Sequence, residues 1–156
     1  MSVPAAHAFG SALRPPAEGE CQYCGSRPAV RTTFQSLTSI AIIYIITSFR
    51  GWMCRSCGLA TYRARTNRTL AAGWWGISAV GVPILLLIDR LRLRKVLRLA
   101  PPVPTPGVAA QLPAPMDPGL PVLRRPGAIV AGVVLAGFLL LVALVVWAEL
   151  TTPSFE

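Results

Sequence analysis

Three blocks decide the reading of this chain: Cys21-Gln22-Tyr23-Cys24-Gly25, Cys54-Arg55-Ser56-Cys57-Gly58 and Gly73-Trp74-Trp75-Gly76. The first two hold all 4 cysteines, in the spacing C-x2-C-x29-C-x2-C. Each pair sets two sulfurs about a turn apart, and the glycine behind it can take a positive φ and let backbone N–H groups approach sulfur. Two such knuckles close a tetrahedral site with metal–sulfur bonds of ~2.3 Å. Four protein ligands leave no open position for water or substrate. The sequence therefore predicts a structural four-cysteine site of Cys21, Cys24, Cys54 and Cys57, with metal binding coupled to folding. Zinc is the expected ion, iron the alternative, and two disulfides a further one.

Composition sets the surroundings of that site. Of the 156 residues 53% are hydrophobic and 13% charged, against a charged share of about 25% in soluble domains. Most of the apolar content lies in two long runs, which leaves about 45 residues for a folded soluble part, a size that usually needs a metal or disulfides. The net charge is +9, with 15 Lys+Arg against 6 Asp+Glu. Beside apolar runs, such a balance points to anionic lipid headgroups, with nucleic acid as the rival partner. Met1–Glu20 has no apolar core of the kind a signal peptide carries, so membrane insertion is expected to use an internal segment.

In chain order, residues 1–20 read as a disordered tail carrying His7, the one histidine. Residues 21–63 form the predicted metal module. Within it Arg27–Phe34 and Ile40–Thr47 suit strands, and Arg50-Gly51-Trp52 suits a turn into the second knuckle. Residues 32–49 lack charge, so insertion of this stretch into a membrane stays open beside the strand reading. Residues 64–68 form a basic neck in which Thr66 or Asn67 is placed to cap a following helix.

Residues 69–88 are uncharged and long enough to span a bilayer. Trp74 and Trp75 stand near the start of this segment, as indoles do at headgroup level, and Pro83 is expected to kink it. Residues 89–100 read as a basic amphipathic helix. Residues 101–127 are a Pro-rich linker. Residues 128–149 give the clearest transmembrane helix, in which Ala128, Gly132 and Ala136 form a small-residue stripe suited to helix–helix association. Residues 150–156 are a tail. The predicted fold is thus a small β zinc ribbon plus two α-helical membrane segments joined by a Pro-rich linker.

Topology is less simple. Cations favour the cytoplasmic side. Arg124 and Arg125 precede the second segment, and only Glu149 and Glu156 follow it. The first segment has cations on both flanks: Arg63, Arg65 and Arg68 before it, and Arg90, Arg92, Arg94, Lys95 and Arg98 after it. All of these, with Trp74 and Trp75, are candidate membrane-interface residues. Residues 69–88 could therefore span the membrane or be re-entrant. The expected location is the cell membrane, multi-pass or with one span plus a re-entrant segment, and the ribbon in the cytoplasm.

The knuckle spacing and glycines also resemble rubredoxin, an iron electron carrier, although rubredoxins are acidic and soluble. A wider pattern resembles a group of small zinc-ribbon membrane proteins from actinobacteria whose role is unassigned. It is carried by Cys21-x-x-Cys24-Gly25-Ser26-x-Pro28-Ala29, Cys54-Arg55-x-Cys57-Gly58-Leu59-Ala60-x-x-Arg63, Thr69-Leu70-x-x-Gly73-Trp74-Trp75-Gly76 and Pro118-Gly119-x-Pro121-Val122-x-x-Arg125-Pro126. The resemblance implies a ribbon followed by membrane segments and says little about activity. The sequence departs from it at Tyr44-Ile45-Ile46-Thr47, which is more apolar than the pattern.

Outside the N-terminal and C-terminal tails the acids are Asp89, Asp117 and Glu149, far apart in sequence. Nothing supplies a nucleophile–base pair, so no enzymatic activity is expected. The expected role is an adaptor or scaffold with an unidentified protein partner. The alternatives are a membrane-tethered nucleic-acid-binding ribbon and a rubredoxin-like electron carrier.

Overall fold

The computed structural model describes residues 18–106 and 112–151. Most of the expected N-terminal tail with His7, the middle of the Pro-rich segment and the last five residues lie outside the described residues.

The first described element, β1 (Ser26–Arg27), follows the first knuckle and leads into β2 (Ala29–Ala41). β2 is rich in β-branched residues and turns Thr32, Phe34 and Ser36 inward. It pairs antiparallel with β3 (Ile43–Cys54) in an unbroken register from Ala29↔Cys54 to Ile40↔Ile43. At its far end the chain reverses through a two-residue loop in which Ala41 has φ 52°. Helix α1 (Arg55–Ala72) starts where β3 stops and packs on β2. Short β4 (Trp75–Gly76) then pairs parallel with Ile40 and Ala41, completing a sheet ordered β3-β2-β4.

A 3-10 turn (Ile77–Val80) opens helix α2 (Gly81–Leu97), which runs back along β2 toward the cysteines. Two small cores lie beneath it. Leu37, Val82 and Leu85 cluster near the hairpin tip. Phe34, Met53, Leu93 and Val96 cluster nearer the knuckles. Beyond α2, β5 (Val103–Pro104) pairs with β1. After a second 3-10 turn (Val122–Arg124), helix α3 (Pro126–Thr151) begins against α1. There Gly127 is buried, and a side chain at that position would meet the Asn67 carbonyl oxygen. Gly127 N–H donates to Asn67 Oδ1 at 2.9 Å. Every residue of α3 from Leu135 onward is exposed. Among the described residues α3 is the one helix long and apolar enough to cross a membrane.

Several expectations are corrected by this arrangement. The second cysteine pair is not a turn knuckle of a ribbon: Cys54 ends β3 and Cys57 lies in the first turn of α1. Ile40–Thr47 is not one strand but straddles the hairpin reversal, because its apolar residues serve both arms of the tip. Arg50-Gly51-Trp52 is strand rather than turn. The neck at 64–68 is interior to α1, so Asn67 caps no helix that follows it directly. Instead it satisfies an N-terminal N–H of α3.

Residues 69–88 do not form one helix. Thr69–Ala72 close α1, Gly73 and Trp74 turn the chain, and the remainder is β4, the 3-10 turn and the start of α2. Pro83 is the third residue of α2, where its missing N–H breaks no helical bond, so it starts a helix rather than kinking one. The amphipathic helix expected at 89–100 is the second half of α2. The Pro-rich segment is no free linker where it is described: β5 docks on β1, and Arg63 Nη1 donates to the carbonyls of Pro118 and Gly119.

Candidate metal centre

The first knuckle is a tight turn. Gly25 N–H donates to the Cys21 carbonyl at 2.8 Å, and Cys21 N–H to the Ser26 carbonyl at 3.0 Å. Gly25 sits at φ 64°, a conformation that favours glycine. Gly58 plays a different part. It is helical, and a Cβ there would come within 2.6 Å of Val96 Cγ1. The glycine is what lets α2 close over the first turn of α1.

Together these elements bring Cys21, Cys24, Cys54 and Cys57 into one buried cluster, with their sulfurs all within 4.8 Å of one another. The Cys24–Cys54 and Cys24–Cys57 Sγ separations are 3.6 and 3.7 Å. All four cysteines are free, and the 3.6 and 3.7 Å separations lie well beyond the ~2.05 Å of a disulfide. A tetrahedron of sulfurs around a metal at ~2.3 Å has edges of ~3.8 Å, and these two separations match it. Backbone N–H of Met116, from the Pro-rich segment, points at Cys57 Sγ at 3.4 Å. Ala29 lies within the cluster, with Tyr23, Trp52 and Met116 packed around it.

The electrostatics call for a cation. Hydrogen bonds from Cys21, Cys54 and Cys57 hold the Cys24 thiol well below its ordinary range. Cys54 and Cys57 are pushed well up, chiefly by Cys21 and Cys24. Four thiolates this close repel one another, and a divalent ion is what allows all of them to ionise together. Zinc and iron both suit four thiolates at this spacing.

The expected interface residues are dispersed. Trp75 is exposed, its indole donating to the Ala71 carbonyl. Trp74 is half-buried against the Leu37–Val82–Leu85 cluster. Arg65 lies 4.5 Å over the Phe49 ring, which stacks on Tyr23. Burial lowers the pKa of Arg65 and raises that of Tyr23 to about 12. Arg92 donates to Asp89, Gln35 Oε1 and the Thr33 carbonyl. Arg68, Arg90, Arg94, Lys95 and Arg98 are exposed. Gly132 and Ala136 are also exposed, and open space surrounds Gly132.

Sequence reasoning missed Met116 and Asp89. Asp89 is buried and accepts the Gln35 N–H at 2.8 Å. Its signal was that of a lone acid between an uncharged run and a basic one. Met116 gave none, since a backbone N–H is shared by every residue type except proline. Compared with protein-family models, curated proteins and solved structures, the chain matches none.

Proposed function

We propose that the chain is an integral membrane protein with a structural four-cysteine zinc site at its cytoplasmic face, acting as an adaptor or scaffold without enzymatic activity. The observation that carries this reading is the buried sulfur cluster at tetrahedral spacing, in a body that continues into an apolar helix exposed over most of its length. All four ligand positions belong to the protein, so the ion serves folding rather than turnover.

The break-up of residues 69–88 supports the cytoplasmic position of the site. With α3 as the span, the cations on both flanks of that stretch and Arg124 and Arg125 can share one side, as the bias of cations toward the cytoplasm favours. Arg68, Arg90, Arg94, Lys95 and Arg98 are free to meet anionic headgroups. Gly132 and Ala136, exposed and in one stripe with the half-buried Ala128, suit a second helix in the bilayer. Nucleic-acid binding has less support, because Arg63 and Arg65 are engaged within the chain.

Elemental analysis of protein purified in mild detergent tests the reading. Colourless protein with a zinc-to-chain ratio of about 1 is expected, and Cys54→Ser should lose both the ion and a cross-linked protein partner. Stoichiometric iron with visible absorption would overturn the zinc assignment. A folded, zinc-loaded Cys54→Ser variant would overturn the structural role, and wild-type protein that captures no partner would overturn the adaptor role.

A further inference from the structure

Charge stops within one band of the folded body, the four residue steps of β2 from Thr33 to Leu37, ~13 Å of strand. On the hairpin the last charge before the tip is Arg50, paired with Thr33. On α1 it is Arg68, next to Thr69, whose hydroxyl accepts the Leu37 N–H. On α2 the first charge after the tip is Asp89, bound to the Gln35 N–H, followed by Arg90. α3 starts beside Asn67, directly after Arg124 and Arg125. Four separate chain segments thus become uncharged at neighbouring positions of the fold. Beyond that band lie large exposed apolar side chains: Ile40 at 70% exposure, Ile42 at 76%, Ile43 at 67%, Ile77 at 72% and Val80 at 79%.

The loop itself points the same way. A two-residue hairpin reversal favours Asn or Gly, which tolerate positive φ. Here Ala41 and Ile42 occupy it, and Ala41 takes φ 52° against its steric preference. The tip keeps apolar side chains at the cost of turn chemistry.

We propose that this uncharged end, the hairpin tip Ile40–Ile46 with Trp75, Ile77 and Val80, is buried in the bilayer leaflet that α3 enters. This rests on the reading of α3 as a membrane span. The ring of Arg50, Arg68 and Arg90 then sits at phosphate level, and Ser36, Thr47 and Ser48, just below the Leu37↔Ile46 pair, lie among the headgroups.

Hydrogen bonding sets the depth. Unpaired backbone groups do not enter hydrocarbon. The outer side of β2 is covered by Asp89 at Gln35, Thr69 at Leu37 and β4 at Ile40 and Ala41. β3 is an edge strand of the sheet, which limits entry to the tip. From Leu37↔Ile46 to Ile40↔Ile43 is three residue steps, or ~10 Å of strand, as deep as interfacial elements sit. From Gln35 to Ile42 is ~23 Å, short of the ~30 Å hydrocarbon core, so the tip enters without crossing.

The test uses the full chain in vesicles of phosphatidylcholine and phosphatidylglycerol. Photo-reactive p-benzoylphenylalanine replaces Ile43, Arg55 or Leu140, one at a time, all at exposed positions. Lipid adducts are expected at Leu140 and Ile43, each at about tenfold the yield at Arg55. Adducts at Leu140, with Ile43 no higher than Arg55, would overturn the insertion and leave the span standing. Absence of adducts at Leu140 would remove the span and this proposal with it. Cross-linking of Ile43 to a second chain in place of lipid would overturn it in favour of a contact between copies.

Discussion

At one end of the folded body, Cys21, Cys24, Cys54 and Cys57 are sealed from solvent, with Tyr23, Trp52 and Met116 packed against them. At the other, Ile40, Ile42 and Ile43 stand open to solvent with no charge near them in sequence. The same hairpin builds both ends, and the two arms pair continuously between them. What differs is the source of order. The cysteine end buries polarizable sulfur that needs a cation, and the small cores behind it are filled by α2. The tip end orders its backbone by pairing with β4 and leaves its apolar side chains without cover among the described residues. One end is thus suited to completion by an ion held among its four sulfurs, and the other to completion by its surroundings.

This contrast can be sharpened by substitutions. Gly58→Ala should have the larger effect. The added methyl meets Val96, a branched side chain that is fully buried and stiff at χ1. We expect a loss of about 1–3 kcal/mol, read as a lower thermal midpoint in detergent, with Gly58→Ala/Val96→Ala recovering part of it. A neutral Gly58→Ala would show that α2 does not close over the metal end as tightly as the fold implies.

Asp89→Asn, in the band where charge stops, should have the smaller effect. Burial raises the Asp89 pKa, and the Gln35 N–H and Arg92 work against it without cancelling it. A carboxyl with a raised folded-state pKa holds its proton more tightly in the folded protein. Its contribution to stability therefore falls as pH rises from the ordinary carboxylate value near ~4 through the raised one. Asparagine keeps an acceptor for Gln35 N–H and removes the charge, so we expect a change within about 1 kcal/mol at neutral pH. The difference between variant and wild type, which cancels the loss of metal in acid, should shift in favour of the variant as pH rises. A difference that does not change with pH would mean that Asp89 is solvated.

The four-cysteine cluster was legible in the sequence because cysteine spacing is a local signal and no spare cysteine competes. The strand character of residues 32–49 was legible too, through Thr32, Phe34, Ile45 and their neighbours. The hairpin reversal was hidden, since Ala41-Ile42 carries none of the Asn-Gly chemistry that marks a turn. The fate of residues 69–88 was also hidden. A continuous uncharged run reads as a span by length alone, and only tertiary contacts, Leu37 N–H to Thr69 and β4 to Ile40, show where the chain breaks. Gly58 was legible as a glycine with a purpose, but the purpose was packing against Val96, a residue 38 positions away. The helix that Asn67 caps begins about 60 residues after it, beyond the reach of any local pattern.

A metal that organises the cysteine end, beside a tip that draws its order from elsewhere, should make the two ends respond differently when the ion is removed. Amide hydrogen exchange of the full chain in vesicles, before and after a membrane-permeable chelator, separates them. We expect chelation to collapse protection at Cys21–Ala29, Met53–Thr61 and Met116, while Leu37–Ile46 and α3 keep theirs. Unchanged protection at the cysteines after the metal is gone, or a tip that loses protection in step with them, would contradict this division.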